Sequence, residues 1–130
     1  MSLLEDKDVS QIVSSHSFIS SIQLFNCPLL TSNVFASFAS LENLKCLKIS
    51  SCEKLFENQH PLKSDFLCEL RLENQKQIKE IVLNSLETLP NLNFLLINSC
   101  EGIKEKDIQK KRKTSNRFFF KNKKKKKKNS

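Results

Sequence analysis

A nine-residue pattern of apolar residues occurs four times in this chain of 130 residues. The clearest copy, LKCLKISSC from Leu44 to Cys52, has apolar residues at positions one, four and six and a cysteine at position nine. The other copies begin at Ile19, Leu67 and Leu92, so successive copies start 25, 23 and 25 residues apart. Because a near-constant period in the twenties is typical of structural repeats, we expect a stack of similar units.

The fourth and sixth positions of each copy are predicted to point into a shared core. Alternate residues of a strand face opposite sides, so the residue between these two faces outward. A strand of about three residues cannot bury itself, whereas parallel strands from successive repeats bury their apolar sides together. The pattern therefore predicts an α/β fold with a parallel strand face, whose inward pairs are Ile22 and Leu24, Leu47 and Ile49, Leu70 and Leu72, and Leu95 and Ile97.

The ninth position has to turn the chain out of the strand while remaining buried. A small side chain that can hydrogen-bond to the backbone suits it, and Cys27, Cys52 and Cys100 occupy it, with Gln75 as the exception. The chain has 5 cysteines, an odd number, and no C-x-x-C motif. We interpret these cysteines as buried reduced thiols, which predicts an intracellular protein, cytoplasmic or nuclear.

The segments between the strands are predicted to be partly helical. Residues 3–16 resemble the back half of a repeat whose strand is missing. They are predicted to form a helix that is capped at its start by Asp6 or Asp8. Its apolar face is expected to consist of Leu4, Val9, Ile12 and Val13. A second helix is expected to start at Thr31 or Ser32 and to carry Val34, Phe35, Phe38 and Leu41. A third is expected to carry Ile78, Ile81, Val82, Leu86 and Leu89.

The remaining connections are predicted to be shorter. Residues 58–61, which end in Pro61, interrupt any long helix in the second repeat, so an irregular loop or a short helical turn is expected there. Pro90 is expected to end the third helix, and Gly102 to occupy a tight turn. His16 and His60 are interpreted as surface residues.

The formal net charge of +8 is distributed very unevenly along the chain. Residues 109–130 hold 12 of the 22 Lys and Arg residues and no acidic residue, so residues 1–108 carry 10 basic and 14 acidic residues, a net of −4. We therefore divide the chain into a repeat domain, residues 1–108, and a basic tail, residues 109–130. The tail cannot bury enough apolar surface to offset its chain entropy and is predicted to be disordered.

Two readings of the basic tail stay open. Its two clusters resemble nuclear-import signals or nucleic-acid contacts, and Phe118 to Phe120 between them offer rings for base stacking or for a membrane interface. Alternatively, Lys, Asn and Phe have A/T-only codons, so an A/T-rich gene end translated past the repeats gives the same composition. The clusters are Lys110, Lys111, Arg112 and Lys113, and Lys123, Lys124, Lys125, Lys126, Lys127 and Lys128.

The repeats resemble the cysteine-containing, ribonuclease-inhibitor-like leucine-rich repeats that F-box proteins carry for substrate recognition. The resemblance rests on the four nine-residue stretches, three of which end in Cys, and on CPLLT and CEGI, which follow Phe25-Asn26 and Asn98-Ser99. Leu41 to Leu55 and Leu89 to Cys100 are equally similar to repeats of plant-type immune receptors. The resemblance implies a solenoid over residues 3–108 and a role in protein binding. No F-box segment or nucleotide-binding P-loop is visible in the sequence.

The sequence offers little for catalysis, cofactors or metals. One glycine in 130 residues precludes both G-x-x-x-x-G-K-[ST] and G-x-G-x-x-G, and there is no H-E-x-x-H. The acidic N-terminus does not have the pattern of a signal peptide, and no apolar run approaches the roughly 20 residues of a spanning helix. We therefore expect no enzyme activity, no cofactor and no membrane span.

The outward residues of the strands are the predicted binding site, because equivalent positions line up across parallel repeats. Three columns result: Ser21, Cys46, Glu69 and Phe94; Gln23, Lys48, Arg71 and Leu96; and Phe25, Ser50, Glu73 and Asn98. Apolar side chains near an arginine are typical of protein interfaces, which predicts protein–protein recognition, as in the substrate-binding repeats of a ubiquitin-ligase adaptor. The alternatives are a nuclear or nucleic-acid-associated protein acting through its tail, and a truncated fragment without independent function. The predicted protein-binding residues are Gln23, Phe25, Lys48, Glu69, Arg71, Glu73, Phe94, Leu96 and Asn98.

Overall fold

The structure, a computed structural model, describes residues 3–57, 61–84, 88–104 and 106–107. Seven helices and strands follow one another along these residues. In chain order they are α1 (Asp6–Ser15), β1 (Ser21–Phe25), α2 (Val34–Ala39), β2 (Cys46–Ser50), β3 (Glu69–Glu73), α3 (Lys79–Leu83) and β4 (Phe94–Asn98). The predicted α/β class is confirmed.

The four strands form one parallel sheet in the order β1-β2-β3-β4, so spatial order follows chain order. Each strand coincides with one copy of the nine-residue pattern. The register pairs equivalent repeat positions: Leu47 of β2 lies beside Ile22 of β1 on one side and Leu70 of β3 on the other. Leu70 in turn lies beside Leu95 of β4. The repeat spacing therefore predicted both the pairing and the register.

The core lies on the inner side of the sheet. The predicted inward residues are buried, except that Ile22, on the edge strand, is only half-buried against the core. Helix α2 closes over the core with Val34, Phe35 and Phe38, and Leu41 beyond its end is buried as well. The ring of Phe35 lies 5.5 Å from that of Phe56, in the segment that follows β2. Apolar side chains between the strands thus fill the space that the short strands cannot enclose alone.

The three cysteines at the ninth repeat position are buried free thiols, as predicted. The thiol of Cys52 has two acceptors, the Ser50 carbonyl of its own repeat at 3.5 Å and the Leu24 carbonyl at 3.7 Å. The thiol of Cys100 likewise has the Asn98 carbonyl at 3.4 Å and the Leu72 carbonyl at 3.5 Å. Leu24 and Leu72 belong to the strand of the preceding repeat. The ninth position therefore links neighbouring repeats through weak hydrogen bonds as well as through packing.

Gln75, the exception at the ninth position, makes a stronger link of the same kind. Its side chain is almost fully buried, with 2% of the residue exposed. The side-chain oxygen accepts from the Cys52 N–H at 2.7 Å, and the side-chain nitrogen donates to the Cys52 carbonyl at 2.9 Å. The longer polar side chain thus satisfies the buried backbone of the preceding repeat, which explains why it is tolerated in an apolar core.

The eighth repeat position has a feature that the sequence interpretation did not include. Asn26, Ser51, Asn74 and Ser99 all have left-handed backbones, with φ values of 54°, 57°, 47° and 55°. Asn visits this region more readily than most residues, so the N, S, N, S series at this position was the available signal. The left-handed residue turns the chain toward the buried ninth position. At this level Asn74 Nδ2 donates to Ser51 Oγ at 2.9 Å, which joins two repeats.

Helix α1 differs in two ways from its prediction. Its N-cap is Glu5, and Asp8 acts from inside the first turn, where its carboxylate accepts from the Glu5 N–H at 2.9 Å. Ile12, expected on the apolar face, is 47% exposed, whereas Val9 and Val13 are buried. Helix α1 packs against α2, and no strand precedes it among the described residues, so its apolar face is only partly covered.

Helix α1 is fixed to the first repeat by its other aspartate. The Asp6 carboxylate accepts from both the backbone N–H and the hydroxyl of Thr31. The prediction that α2 starts at Thr31 or Ser32 was wrong, because α2 begins at Val34 after Asn33. Thr31 instead joins the two helices through Asp6.

A series of turns spans residues 53–57, as expected for the second repeat. Helix α3 is shorter than predicted, because it ends at Leu83 and not at Pro90. Ile78 and Leu89 lie outside the helix but are buried, as Val82 is. Gly102 has a φ of 82°, as a tight turn requires. His60, Leu86 and the whole basic tail lie outside the described residues.

The Gln75 link gives a stability prediction. We expect Gln75→Ala to lower the free energy of unfolding by about 2–3 kcal/mol, because the buried Cys52 N–H loses its acceptor. Urea denaturation followed by circular dichroism measures this change. The matched control is Gln11→Ala on the exposed side of α1, which should stay within about 0.5 kcal/mol of the wild type. Equal effects of the two substitutions would contradict the assigned role.

The left-handed eighth position gives a second prediction. Asn26→Val should lower the free energy of unfolding by roughly 1–2 kcal/mol, because a β-branched side chain is strained at a φ of 54°. Asn26→Gly is the control at the same site and should be close to neutral. Thermal unfolding of the two variants side by side checks the difference, and a valine variant as stable as the glycine variant would refute it.

Candidate protein-binding face

The outward side chains of β1 to β4 form a surface that we call the strand face. The register places them in the three predicted columns: Ser21, Cys46, Glu69 and Phe94; Gln23, Lys48, Arg71 and Leu96; and Phe25, Ser50, Glu73 and Asn98. The strands of a sheet are spaced about 4.8 Å apart, so neighbours within a column are in contact distance for long side chains. The predicted site residues thus lie on one surface.

A charged and aromatic cluster occupies the β3–β4 half of the strand face. Arg71 donates from Nε to Glu69 Oε2 at 2.7 Å, and its guanidinium carbon lies 4.9 Å from the ring centre of Phe94. The Cys46 thiol of β2 donates to the same Glu69 oxygen at 3.3 Å. Three strands therefore hold the Arg71 side chain in one position, with its cation against an aromatic ring.

Two ionisable groups of this cluster have shifted pKa values. The hydrogen bond from Arg71, and after it that from Cys46, holds the pKa of Glu69 below its usual value. Partial burial and the hydrogen bond to Glu69 raise the pKa of Cys46. At neutral pH the cluster is therefore an ionised carboxylate beside a protonated thiol and a cation. Cys46 was not among the predicted binding residues, although its alignment opposite Glu69 in the repeats was the signal for this contact.

The third column combines a polar half with an exposed aromatic residue. Asn98 Nδ2 donates to Glu73 Oε1 at 3.3 Å across β3 and β4. Phe25 at the β1 end is 62% exposed, as its outward position predicted. Ser50 between them is buried, contrary to the expectation of an outward solvated residue. It is the smallest side chain of its column, and its register neighbours Phe25 and Glu73 are both larger.

Lys48 lies at the centre of the face, between Gln23 of β1 and Arg71 of β3. Its residue is half-buried, and no carboxylate of the described residues forms an ion pair with it. Leu96, next to Arg71 on β4, is half-buried too. The strand face therefore presents an arginine held by Glu69 and a second cation beside it. Apolar side chains lie at both ends of the sheet.

A cation–π contact that the sequence interpretation missed lies beside this face. Lys45 Nζ is 5.8 Å from the ring centre of Phe66, where each residue precedes a strand. The repeat alignment contains the signal, since Lys45 is the second residue of its repeat and Phe66 directly precedes the next. This contact adds a further basic and aromatic pair next to the first column.

The described residues contain neither a candidate metal site nor a candidate membrane-spanning helix. Across residues 3–57, 61–84, 88–104 and 106–107, no group of three or more His, Cys, Asp and Glu residues could hold a metal ion. Within the same part of the chain, no helix is long and apolar enough to cross a membrane. His16 is exposed and its Nδ1 donates to the Ile12 carbonyl at 3.0 Å, in keeping with its interpretation as a surface residue.

The lysine and arginine residues predicted for nuclear import or nucleic-acid contact, from Lys110 to Lys113 and from Lys123 to Lys128, lie outside the described residues. Comparisons of the chain with protein-family models, with curated proteins and with solved structures found no match.

The Glu69–Arg71 pair gives a pH prediction. Glu69 has a lowered pKa in the folded state, so its stabilising effect is fully present above the unfolded pKa and is lost as pH falls through the lower folded pKa. The effect should stay within about 1 kcal/mol, because both side chains are about one-third exposed. Carbon-13 NMR titration of the Glu69 carboxyl should give a midpoint below that of an ordinary glutamate.

Two substitutions identify the cause of the Glu69 shift. Arg71→Met should move the midpoint of Glu69 back toward its usual value, because it removes the strongest donor to the carboxylate. Lys48→Met, at the register-matched position of β2, should leave the midpoint nearly unchanged. An unshifted Glu69 in the Arg71 variant would show that the ion pair does not set its pKa.

Proposed function

We propose that the chain is a short leucine-rich-repeat module that binds a protein partner on its strand face. The observation that carries the proposal is the in-register parallel sheet, which aligns twelve outward side chains in three columns on one surface. Regular columns of this kind form an extended recognition surface in repeat proteins. The proposed repeats begin at residues 19, 44, 67 and 92, within residues 1–108.

Two repeated structural details support the leucine-rich-repeat assignment. The eighth position is left-handed in each of the four repeats, and the ninth is buried in each. Strand order follows chain order, with one strand per 23 or 25 residues. Together these features are those of a solenoid in which each unit packs only on its neighbours.

The side chains of the strand face favour a protein partner. In the unbound chain Arg71 already contacts Glu69 and Phe94. Its side chain therefore loses little conformational freedom when a partner binds. Arginine and aromatic residues dominate the energetics of protein interfaces. Lys48, without an ion-pair partner among the described residues, offers a site for a carboxylate of the partner. The proposed contacts are Gln23, Phe25, Lys48, Glu69, Arg71, Glu73, Phe94, Leu96 and Asn98.

The resemblance to F-box repeats suggests a setting for this binding. In that setting the strand face holds a substrate protein for a ubiquitin ligase, and the reaction itself is carried out by other proteins. The module then needs neither cofactor nor catalytic residue, and its action is non-covalent and intracellular. The competing function is nucleic-acid binding through the basic tail, which the concentration of 12 Lys and Arg residues in residues 109–130 favours.

A capture experiment separates the two functions. The full chain, residues 1–108 and the full-length Lys48→Glu variant serve as baits, and bound proteins are identified by mass spectrometry. We expect a partner that binds the full chain and residues 1–108 but is weakened about tenfold or more by Lys48→Glu, because the charge reversal places an acid opposite the partner's carboxylate. Quantitative binding of the identified partner measures the loss.

Lys63→Glu is the matched control, since Lys63 is exposed in a loop away from the strands and the charge change is the same. It should bind the partner like the wild type. If all binding disappears with residues 109–130 and falls steeply as salt is raised, the tail is the functional segment and the proposal fails.

A further inference from the structure

β1 is an edge strand without the protection that edges normally have. No described strand lies beyond it, and the sheet order leaves one of its sides unpaired. Natural edge strands are usually shielded by charged residues, proline or a bulge, because their free backbone groups pair readily with another chain. β1 has the sequence SIQLF and contains none of these. An unprotected edge of this kind favours pairing with a further strand.

The backbone groups that face this open side can be assigned. The Ser20 carbonyl accepts from Cys46, and the Asn26 N–H donates to the Ser50 carbonyl, so both point toward β2. Because successive residues of a strand point their backbone groups to alternate sides, those of Ser21, Gln23 and Phe25 point away from β2. Three donors and three acceptors thus line the open edge.

The segment of sequence that contains this edge is uncharged and exposes apolar side chains. Residues 9–41 contain no Asp, Glu, Lys or Arg, although the chain as a whole has 36 charged residues, 22 basic and 14 acidic. The large hydrophobic side chains that are exposed among the described residues all lie within residues 3–29: Leu3, Ile12, Phe18, Phe25 and Leu29. Phe18 is 84% exposed and Phe25 62%. A concentration of exposed apolar side chains on one part of a charged protein marks an association surface.

The absence of charge favours a second copy of this chain as the occupant. Residues near the axis of a two-fold interface lie close to their own copies, so a charge at the axis meets a like charge. Residues 9–41 avoid this repulsion, whereas β2 carries Lys48 and β3 carries Glu69, Arg71 and Glu73. The uncharged edge is therefore suited to meeting itself.

We propose that two copies associate through their β1 strands, antiparallel about a two-fold axis near Gln23, to form a continuous eight-stranded sheet. This register pairs Gln23 with Gln23 and Ser21 with Phe25 of the other copy, so that the outward-pointing backbone groups meet. The exposed Phe25 then lies beside a small serine. The same geometry brings the segment around Phe18 next to the second copy's segment around Leu29. The inference is independent of the partner proposed for the strand face.

A proline at the centre of the edge tests the pairing. In Gln23→Pro the outward N–H is lost while the bonds from β1 to β2 are kept, and edge strands tolerate proline on their free side. Sedimentation velocity of the full chain over a micromolar concentration series should show a dimer for the wild type. The dissociation constant should rise about 10- to 30-fold in the variant, since two hydrogen bonds at the axis are removed.

Charge substitutions at the axis give a test that does not depend on the proline variant folding. Gln23→Lys and Gln23→Glu should each be monomeric, because like charges then meet across the two-fold axis. An equimolar mixture of the two variants should regain a dimer, because opposite charges meet instead. Asn98→Lys, at the opposite edge of the sheet, is the control and should dimerise like the wild type.

Three sedimentation results would overturn the dimer proposal. A wild type that is monomeric across the series excludes the dimer. Dimers that persist unchanged in both charge variants place the interface elsewhere. A dimer that dissociates as salt is raised indicates association through charged segments, whereas pairing through the uncharged edge should be insensitive to salt. A wild type that stays monomeric but still captures a strand-face partner would overturn the dimer and leave the proposed function intact.

Discussion

Stacking of equivalent strands in register is the constraint on which the rest of this structure depends. Each strand has only five residues and presents two inward side chains, too few to enclose a core. The parallel register places Leu47 between Ile22 and Leu70, so the inward residues of neighbouring repeats cover one another. Because burial comes from neighbours, a shift of one residue in any strand would move its apolar side chains to the solvent side.

The residues that follow each strand impose a second requirement, because their buried backbone groups need hydrogen-bond partners. At each exit the chain passes through a left-handed residue and then enters the core, so backbone groups are buried at a point where the sheet no longer pairs them. Cysteine thiols and the Gln75 side chain bond to the backbone of the preceding repeat at this level. The apolar stack and these polar links therefore act on the same pair of neighbours, which couples the stability of one repeat to that of the next.

The outward side and the open edge of the sheet differ in character. The strand face has an arginine held by Glu69, a lysine with no ion pair among the described residues, and flanking aromatic residues, an arrangement suited to a protein partner with carboxylates. The β1 edge lies within residues 9–41, which contain no Asp, Glu, Lys or Arg and expose apolar side chains. Pairing of two β1 strands about an axis perpendicular to the sheet would leave both strand faces on the same side. The two proposed associations are therefore compatible, and the dimer would present a face of twice the width.

The sequence by itself determined the strands, their pairing and the residues on each side of the sheet, because the repeat spacing and a period of two fix all three. It also indicated α2, the buried cysteines and the columns of the strand face. The role of Gln75, the exposure of Ile12 and the contact of Arg71 with both Glu69 and Phe94 were decided only by the tertiary structure. The first and the last of these depend on which atoms of one repeat reach the next. Ile12 is exposed because α1 packs against α2 and no described strand precedes it. The sequence determines a residue's position within its repeat. Its contacts with other repeats depend on distances and side-chain directions that exist only in the folded chain.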